Sequence, residues 1–181
     1  SMDGAFDLWL APASGGAARR LTSIAGDERW PSWTTDGRVM FSQRPPKGAW
    51  RLVTVVSASG DLSTLTAGDA AEWQGRASPD GKWIAYISDR EADPNNEADV
   101  WMREFGATAS SPPRVVRVTR AAGTESHPVW APDNARVAFA ASRAGTSGIF
   151  VAVISGASGT SGTSGASGTS GASGASGAGT P

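Results

Sequence analysis

Apolar residues in this chain come in short runs separated by turn residues, and no stretch repeats them at helical spacing over about eleven positions. One kind of run is apolar and β-branched: Arg38 to Ser42, Lys82 to Ser88 and Arg136 to Ala141. Each is preceded by an aromatic or Pro-flanked entry that ends at an Asp-Gly or Asp-Asn turn: Trp30 to Asp36, Trp73 to Asp80 and His127 to Asp133. A third kind is aromatic or aliphatic, as in Asp7 to Leu10, Trp50 to Val55, Asp99 to Met102 and Gly148 to Val153. The fourth is short and ends in threonine: Arg19 to Thr22, Ser63 to Thr66 and Val116 to Thr119. With the entry segment called A and the others B, C and D, the chain reads C-D, A-B-C-D, A-B-C-D, A-B-C. That order predicts thirteen strands in two complete and two incomplete four-stranded units.

The units are copies of one another. With the aspartate as anchor, Asp36 to Asp80 spans 44 positions and Asp80 to Asp133 spans 53. Self-similarity at this period, built on strands, marks stacked β units such as propeller blades, each of which buries its apolar faces only against its neighbours. The predicted fold is therefore all-β: four-stranded antiparallel blades forming a partial propeller of about three blades over residues 1–154. The extra length of the second repeat falls in two polar loops, Asp89 to Ala98 and Gly106 to Pro113, which lengthen connections without breaking the pattern. Asp-Gly between two strand runs predicts a two-residue hairpin turn of the primed type, with positive φ at both central residues. Asn134 stands for Gly in the third copy, and Asn tolerates positive φ better than most residues. Residues 155–181 contain only Ser, Gly, Ala, Thr and one Pro. They read as a flexible tail or linker with a reach of roughly 30 Å.

Composition removes several classes. Sixteen basic and seventeen acidic residues give a net charge of −1 without a basic stripe, which argues against nucleic-acid binding. There is no cysteine, so disulfides and thiolate metal sites are excluded. No run of eighteen apolar residues exists, so membrane insertion by a helix is not expected. The eight tryptophans read as filler between blades.

Candidate chemistry is sparse. A serine nucleophile on a strand-to-helix turn would need Gly-x-Ser-x-Gly, and the glycines of the tail are wrongly spaced for it. The single histidine, His127, sits in the entry of a repeat, at the place held by Trp30 and Trp73 in the other copies. Asp89, Glu91, Asp93, Asn95, Asn96, Glu97 and Asp99 form an oxygen-rich loop, but it lacks the spacing and central glycine of an EF-hand and reads as a solvated acidic loop. Asp7 and Asp99 precede segment C at matching positions, which predicts a repeated hydrogen bond to neighbouring backbone. No metal and no cofactor is expected.

The motifs Trp130-Ala131-Pro132-Asp133, Ser78-Pro79-Asp80-Gly81-Lys82, Ser88-Asp89-Arg90, Ser142-Arg143, Asp7-Leu8-Trp9, Asp99-Val100-Trp101 and Arg20-Leu21-Thr22 resemble the repeat of TolB-type β-propellers. The resemblance covers about residues 5 to 154. Thr34-Thr35, Gln74, Arg76 and Asn134 depart from the family pattern, Gln74 and Arg76 standing where the other copies have Pro and Trp. The resemblance implies a non-enzymatic protein-interaction module or fragment, in the periplasm or secreted. The alternative is the propeller domain of a serine peptidase or other hydrolase whose catalytic domain lies outside this chain. It also implies that ligands meet the mouth where the D-to-A connections gather. That places the candidate contact residues at Arg29, Trp30, Glu72, Trp73, Glu125 and His127, which lie at or just before the start of segment A. The expected partner is a protein or peptide. The strand order further allows a homodimer that closes a six-bladed ring, the blade number the family implies.

Overall fold

The structure is a computed structural model that describes residues 6–92, 98–106, 111–143 and 145–154. Thirteen strands follow in chain order: β1 (Trp9–Leu10), β2 (Arg19–Arg20), β3 (Asp27–Trp33), β4 (Arg38–Arg44), β5 (Arg51–Val56), β6 (Leu62–Thr64), β7 (Glu72–Ala77), β8 (Trp83–Ser88), β9 (Asp99–Glu104), β10 (Val115–Arg117), β11 (Thr124–Trp130), β12 (Arg136–Arg143) and β13 (Thr146–Val153). They form four antiparallel meanders: β1-β2, β3-β4-β5-β6, β7-β8-β9-β10 and β11-β12-β13. This is the C-D, A-B-C-D, A-B-C-D, A-B-C order of the sequence, a partial propeller. No helix occurs among the described residues, so none is long and apolar enough to cross a membrane.

Neighbouring sheets pack face to face through three apolar clusters. Leu8 of the first sheet meets Val39, Phe41, Val53 and Val55 of the second. Met40 and Leu52 meet Ile84, Tyr86 and Trp101 of the third. Trp83, Ala85, Ile87, Val100 and Met102 meet Trp130, Val137, Phe139 and Ala152 of the fourth. β4 and β8 are buried on both faces, which is why they read as continuous apolar runs. Full burial of Phe41 or Ile84 contributes roughly 1.5–3 kcal/mol each.

Four details differ from the sequence reading. Strand A starts earlier than expected, so Asp27 to Trp30, Glu72 to Trp73 and Thr124 to His127 belong to strands and not to connections. The cause is a bulge: the register of β3 on β4 shifts between Arg29 and Ser32, and the same shift recurs in β7 and β11. Pro31 and Pro128 fall within the bulges, where no ladder donor is required.

Second, these registers align Trp30 with Gln74 and His127, not with Trp73. Pro31, Gly75 and Pro128 then match, as do Ser32, Arg76 and Val129, and Trp33, Ala77 and Trp130. Gly75 suits this position, where a Cβ would lie close to neighbouring side chains, 3.0 Å from Met40 Sδ and 3.1 Å from Leu52.

Third, the A-to-B turns are not of the primed type. Gly37, Gly81 and Asn134 have φ of 79°, 70° and 58°, but the aspartates before them do not adopt positive φ. Gly37 N–H donates to Thr34 O at 3.1 Å and Thr34 N–H to Arg38 O at 2.9 Å, which closes a three-residue loop with its one left-handed residue last. In the other two copies an extra residue widens the loop, with Ser78 paired to Trp83 and Ala131 to Arg136.

Fourth, Asp7 and Asp99 bond to arginines of strand D: Arg20 at 2.8 Å and Arg117 at 2.5 Å. These ion pairs are contacts that the residue pattern did not predict. The acids and amides at residues 93–97 of the oxygen-rich loop, and the tail from residue 155, lie outside the described residues.

Candidate functional site

The entry strands β3, β7 and β11 lie side by side and are stitched to one another. Ser32 Oγ donates to Gly75 O at 3.0 Å, Trp130 Nε1 donates to Arg76 O at 3.0 Å, and the His127 backbone N–H donates to Gln74 Oε1 at 2.6 Å. At the bulge of each strand one non-glycine residue takes the left-handed conformation: Trp30 at φ 53°, Gln74 at 57° and His127 at 54°. Each such residue stores strain of order 1–3 kcal/mol, which persists only where the surroundings hold it. Here Gln74 N–H is held by Ser42 Oγ at 2.9 Å, and the Trp30 ring rests on Trp50 with centroids 5.0 Å apart. The bulge thus sets one variable side chain at the same height on three adjacent strands.

Two residues before each bulge stands a glutamate: Glu28, Glu72 and Glu125, all buried. Glu125 Oε2 accepts the Val100 N–H at 3.1 Å and the Thr119 hydroxyl, while Oε1 accepts from Arg143 at 2.6 Å. Glu28 does the same with Leu8 N–H at 3.0 Å and the Thr22 hydroxyl. Each therefore latches its blade to strands C and D of the blade before. Desolvation raises the pKa of both Glu28 and Glu125, opposed by the Thr22 and Leu8 donors in one case and the Thr119 and Arg143 donors in the other. Glu72 is paired to Arg90 at 2.7 Å.

Of the six candidate contact residues, Trp30 and His127 are brought onto one row, with Trp30 half-buried and His127 exposed. Arg29 stands beside that row, its guanidinium 4.3 Å above the Phe6 ring and 3.8 Å from Asp27. Trp73 packs against the apolar cluster between the third and fourth sheets. Glu125 points into its latch, and Glu72 into its pair with Arg90. The third member of the row is Gln74, which the residue pattern did not single out, although the 44- and 53-residue offsets place it in register with Trp30 and His127. Its ring-side neighbour is His127, with Gln74 Nε2 3.5 Å from the imidazole Nε2. Glu28 is in register with Glu72 and Glu125 by the same offsets.

Two surfaces that face the neighbouring blade elsewhere in the chain are left uncovered by the described residues. Beside β3 is a cavity of about 590 Å³ lined by Phe6, Leu8, Trp9, Trp30, Trp33 and Val39 among others. On β11 and β13, Val129, Ile149, Val151 and Val153 are exposed. The positions that match Ile149 and Val151, Leu52 and Thr54 in the second sheet and Val100 and Met102 in the third, are buried.

Known structures share this architecture. The putative TolB of Agrobacterium tumefaciens superposes with a TM-score of 0.68 at 22% identity, over 82% of this chain and 53% of that one. TolB of Acinetobacter baumannii gives 0.66 at 20% identity, over 83% of this chain and 36% of that one. An oligogalacturonate lyase in complex with manganese gives 0.61 at 16% identity, over 82% and 41%. No protein-family profile and no curated protein sequence matches the chain. The fold is that of part of a TolB-type β-propeller, and the chain spans about half or less of each of these structures.

Proposed function

We propose that this chain is a non-enzymatic propeller segment that works by binding protein, with Trp30, Gln74 and His127, flanked by Arg29 and Trp73, as its contact row and Glu72 and Glu125 as the supports behind it. The observation that carries this reading is the repeated left-handed bulge. Strained backbone held in place three times presents an aromatic, an amide and an imidazole side by side on a rigid scaffold, a chemistry suited to polar protein contacts. The first partner is a second copy of this chain. Its exposed β13 face meets the cavity beside β3, and strands A-B of one copy take C-D of the other, or A-B-C takes D alone, to close a six-bladed ring. A periplasmic or secreted location goes with the TolB likeness.

The row is tested by Trp30→Ala and His127→Ala. Each is expected to fold as wild type by circular dichroism and to lose proteins that wild type retains from an extracytoplasmic extract. Equal retention by the variants would overturn the contact row. A serine-directed fluorophosphonate probe is expected to leave the chain unlabelled; stoichiometric labelling would favour the hydrolase reading instead.

A further inference from the structure

Strand β7 departs from its two sister strands at consecutive positions, and both departures open onto one slot. Where β3 and β11 carry Trp33 and Trp130, β7 carries Ala77; where they carry Ser32 and Val129, β7 carries Arg76. The missing indole leaves a slot of about 390 Å³ lined by Trp33, Thr35, Arg76, Ala77, Val129 and Trp130 among others. Arg76 Nη1 donates to Gly75 O at 2.9 Å and to Trp30 O at 3.4 Å, which fixes the guanidinium against the strand edge. Its Nε and Nη2 take no partner among the described residues, and neither is sealed away from solvent. No carboxylate among the described residues pairs with it. The hairpin acids Asp36 and Asp80 have their own cations, Arg38 at 3.2 Å and Lys82 at 3.7 Å. Burial works against the charge of Arg76, with no acid to offset it.

We infer that the slot between Trp33 and Trp130 is a binding site for a carboxylate, which Arg76 holds through its free Nε and Nη2. A guanidinium with two parallel N–H donors matches a carboxylate in bidentate geometry. The indoles supply apolar walls for the carbon skeleton behind it, and the slot volume suits a group the size of an acidic side chain or a single sugar acid. The site does not depend on the contact row at the bulge.

The test is titration of the full chain at neutral pH and low salt, read by the tryptophan indole resonances. The probes are N-acetyl-glutamate methylamide and its neutral glutamine isostere, and galacturonate and its neutral counterpart galactose. At least one acid is expected to bind about tenfold or more tighter than its neutral twin; which one does so tells a peptide source from a sugar source. Arg76→Ser, which installs the residue of β3, should remove that preference while leaving the thermal unfolding cooperative. Ala77→Trp, which restores the repeat, should abolish binding by filling the slot. Equal binding of acid and neutral twin, no binding by any probe, or full binding by a folded Arg76→Ser would each overturn the assignment.

Discussion

Arg143 donates to Glu125 at 2.6 Å, and the matching pair is missing in the first full blade, where Pro45 occupies the register position of Arg90 and Arg143. Glu28 therefore keeps the latch to Leu8 and Thr22 but leaves Oε1 buried with no hydrogen-bond partner. Arg44, the nearby alternative in sequence, is taken by Asp27 at 3.1 Å and lies over Trp50. One fold position thus carries two different electrostatic outcomes.

Glu28→Gln should raise stability at neutral pH by about 1 kcal/mol, because an amide keeps an acceptor for Leu8 N–H without a buried charge. The folded pKa of Glu28 is raised above 4.5, so the folded state holds its proton more tightly than the unfolded state. The penalty is absent below about pH 4.5, grows as pH rises through the folded value, and is complete above it. The gain should follow that course in thermal unfolding series of both proteins; a gain independent of pH would refute this account. Glu125→Gln strips Arg143 of its partner and should instead destabilise by about 2–3 kcal/mol.

Gly123→Ala should be among the most damaging glycine substitutions. Its φ is 116°, and a Cβ would sit 2.1 Å from the Ser142 carbonyl oxygen, which belongs to the neighbouring strand and cannot move freely. A loss of about 2–4 kcal/mol is expected by chemical denaturation. Gly60→Ala, also at positive φ but with nothing within 4 Å, should lose about 1 kcal/mol. Similar losses at both sites would show that the close approach at Gly123 is not the cause.

Asn134→Gly relieves a left-handed φ but deletes the side-chain oxygen that accepts the Asp80 N–H at 2.9 Å and ties two hairpins together. The two effects oppose each other, and the net change should be within about 1 kcal/mol. Asn134→Ala forfeits both and should lose about 1–2 kcal/mol more than the glycine variant. A melting comparison of the three proteins decides it, and an alanine variant as stable as the glycine one would contradict the hairpin tie.

Much of this was legible in the sequence, for a physical reason. Strand pattern and repeat spacing report burial, and burial is what the sheets of a propeller share; hence the thirteen strands and their C-D, A-B-C-D order could be read from residues alone. The bulge could not. A left-handed Trp30 or His127 carries no residue-type signature, since glycine or asparagine is what positive φ ordinarily suggests, and so Trp73 was aligned one place too far. The hairpins misled for a similar reason: Asp-Gly fits a two-residue turn as well as part of a three- or four-residue loop. The buried glutamates were visible only as residues near an aromatic ring. That the partners of Glu28 and Glu125 are a threonine and a backbone N–H of the preceding blade depends on how sheets stack, which no local pattern encodes.

Light scattering coupled to size exclusion at micromolar concentration tests the interaction reading most directly. Closure by a second copy predicts a folded species of about twice the 18.5 kDa chain. Val151→Arg, a change on the exposed β13 face, should return it to one chain without loss of β structure. A wild-type chain that is folded by circular dichroism and elutes as a clean monomer would contradict closure by a second copy.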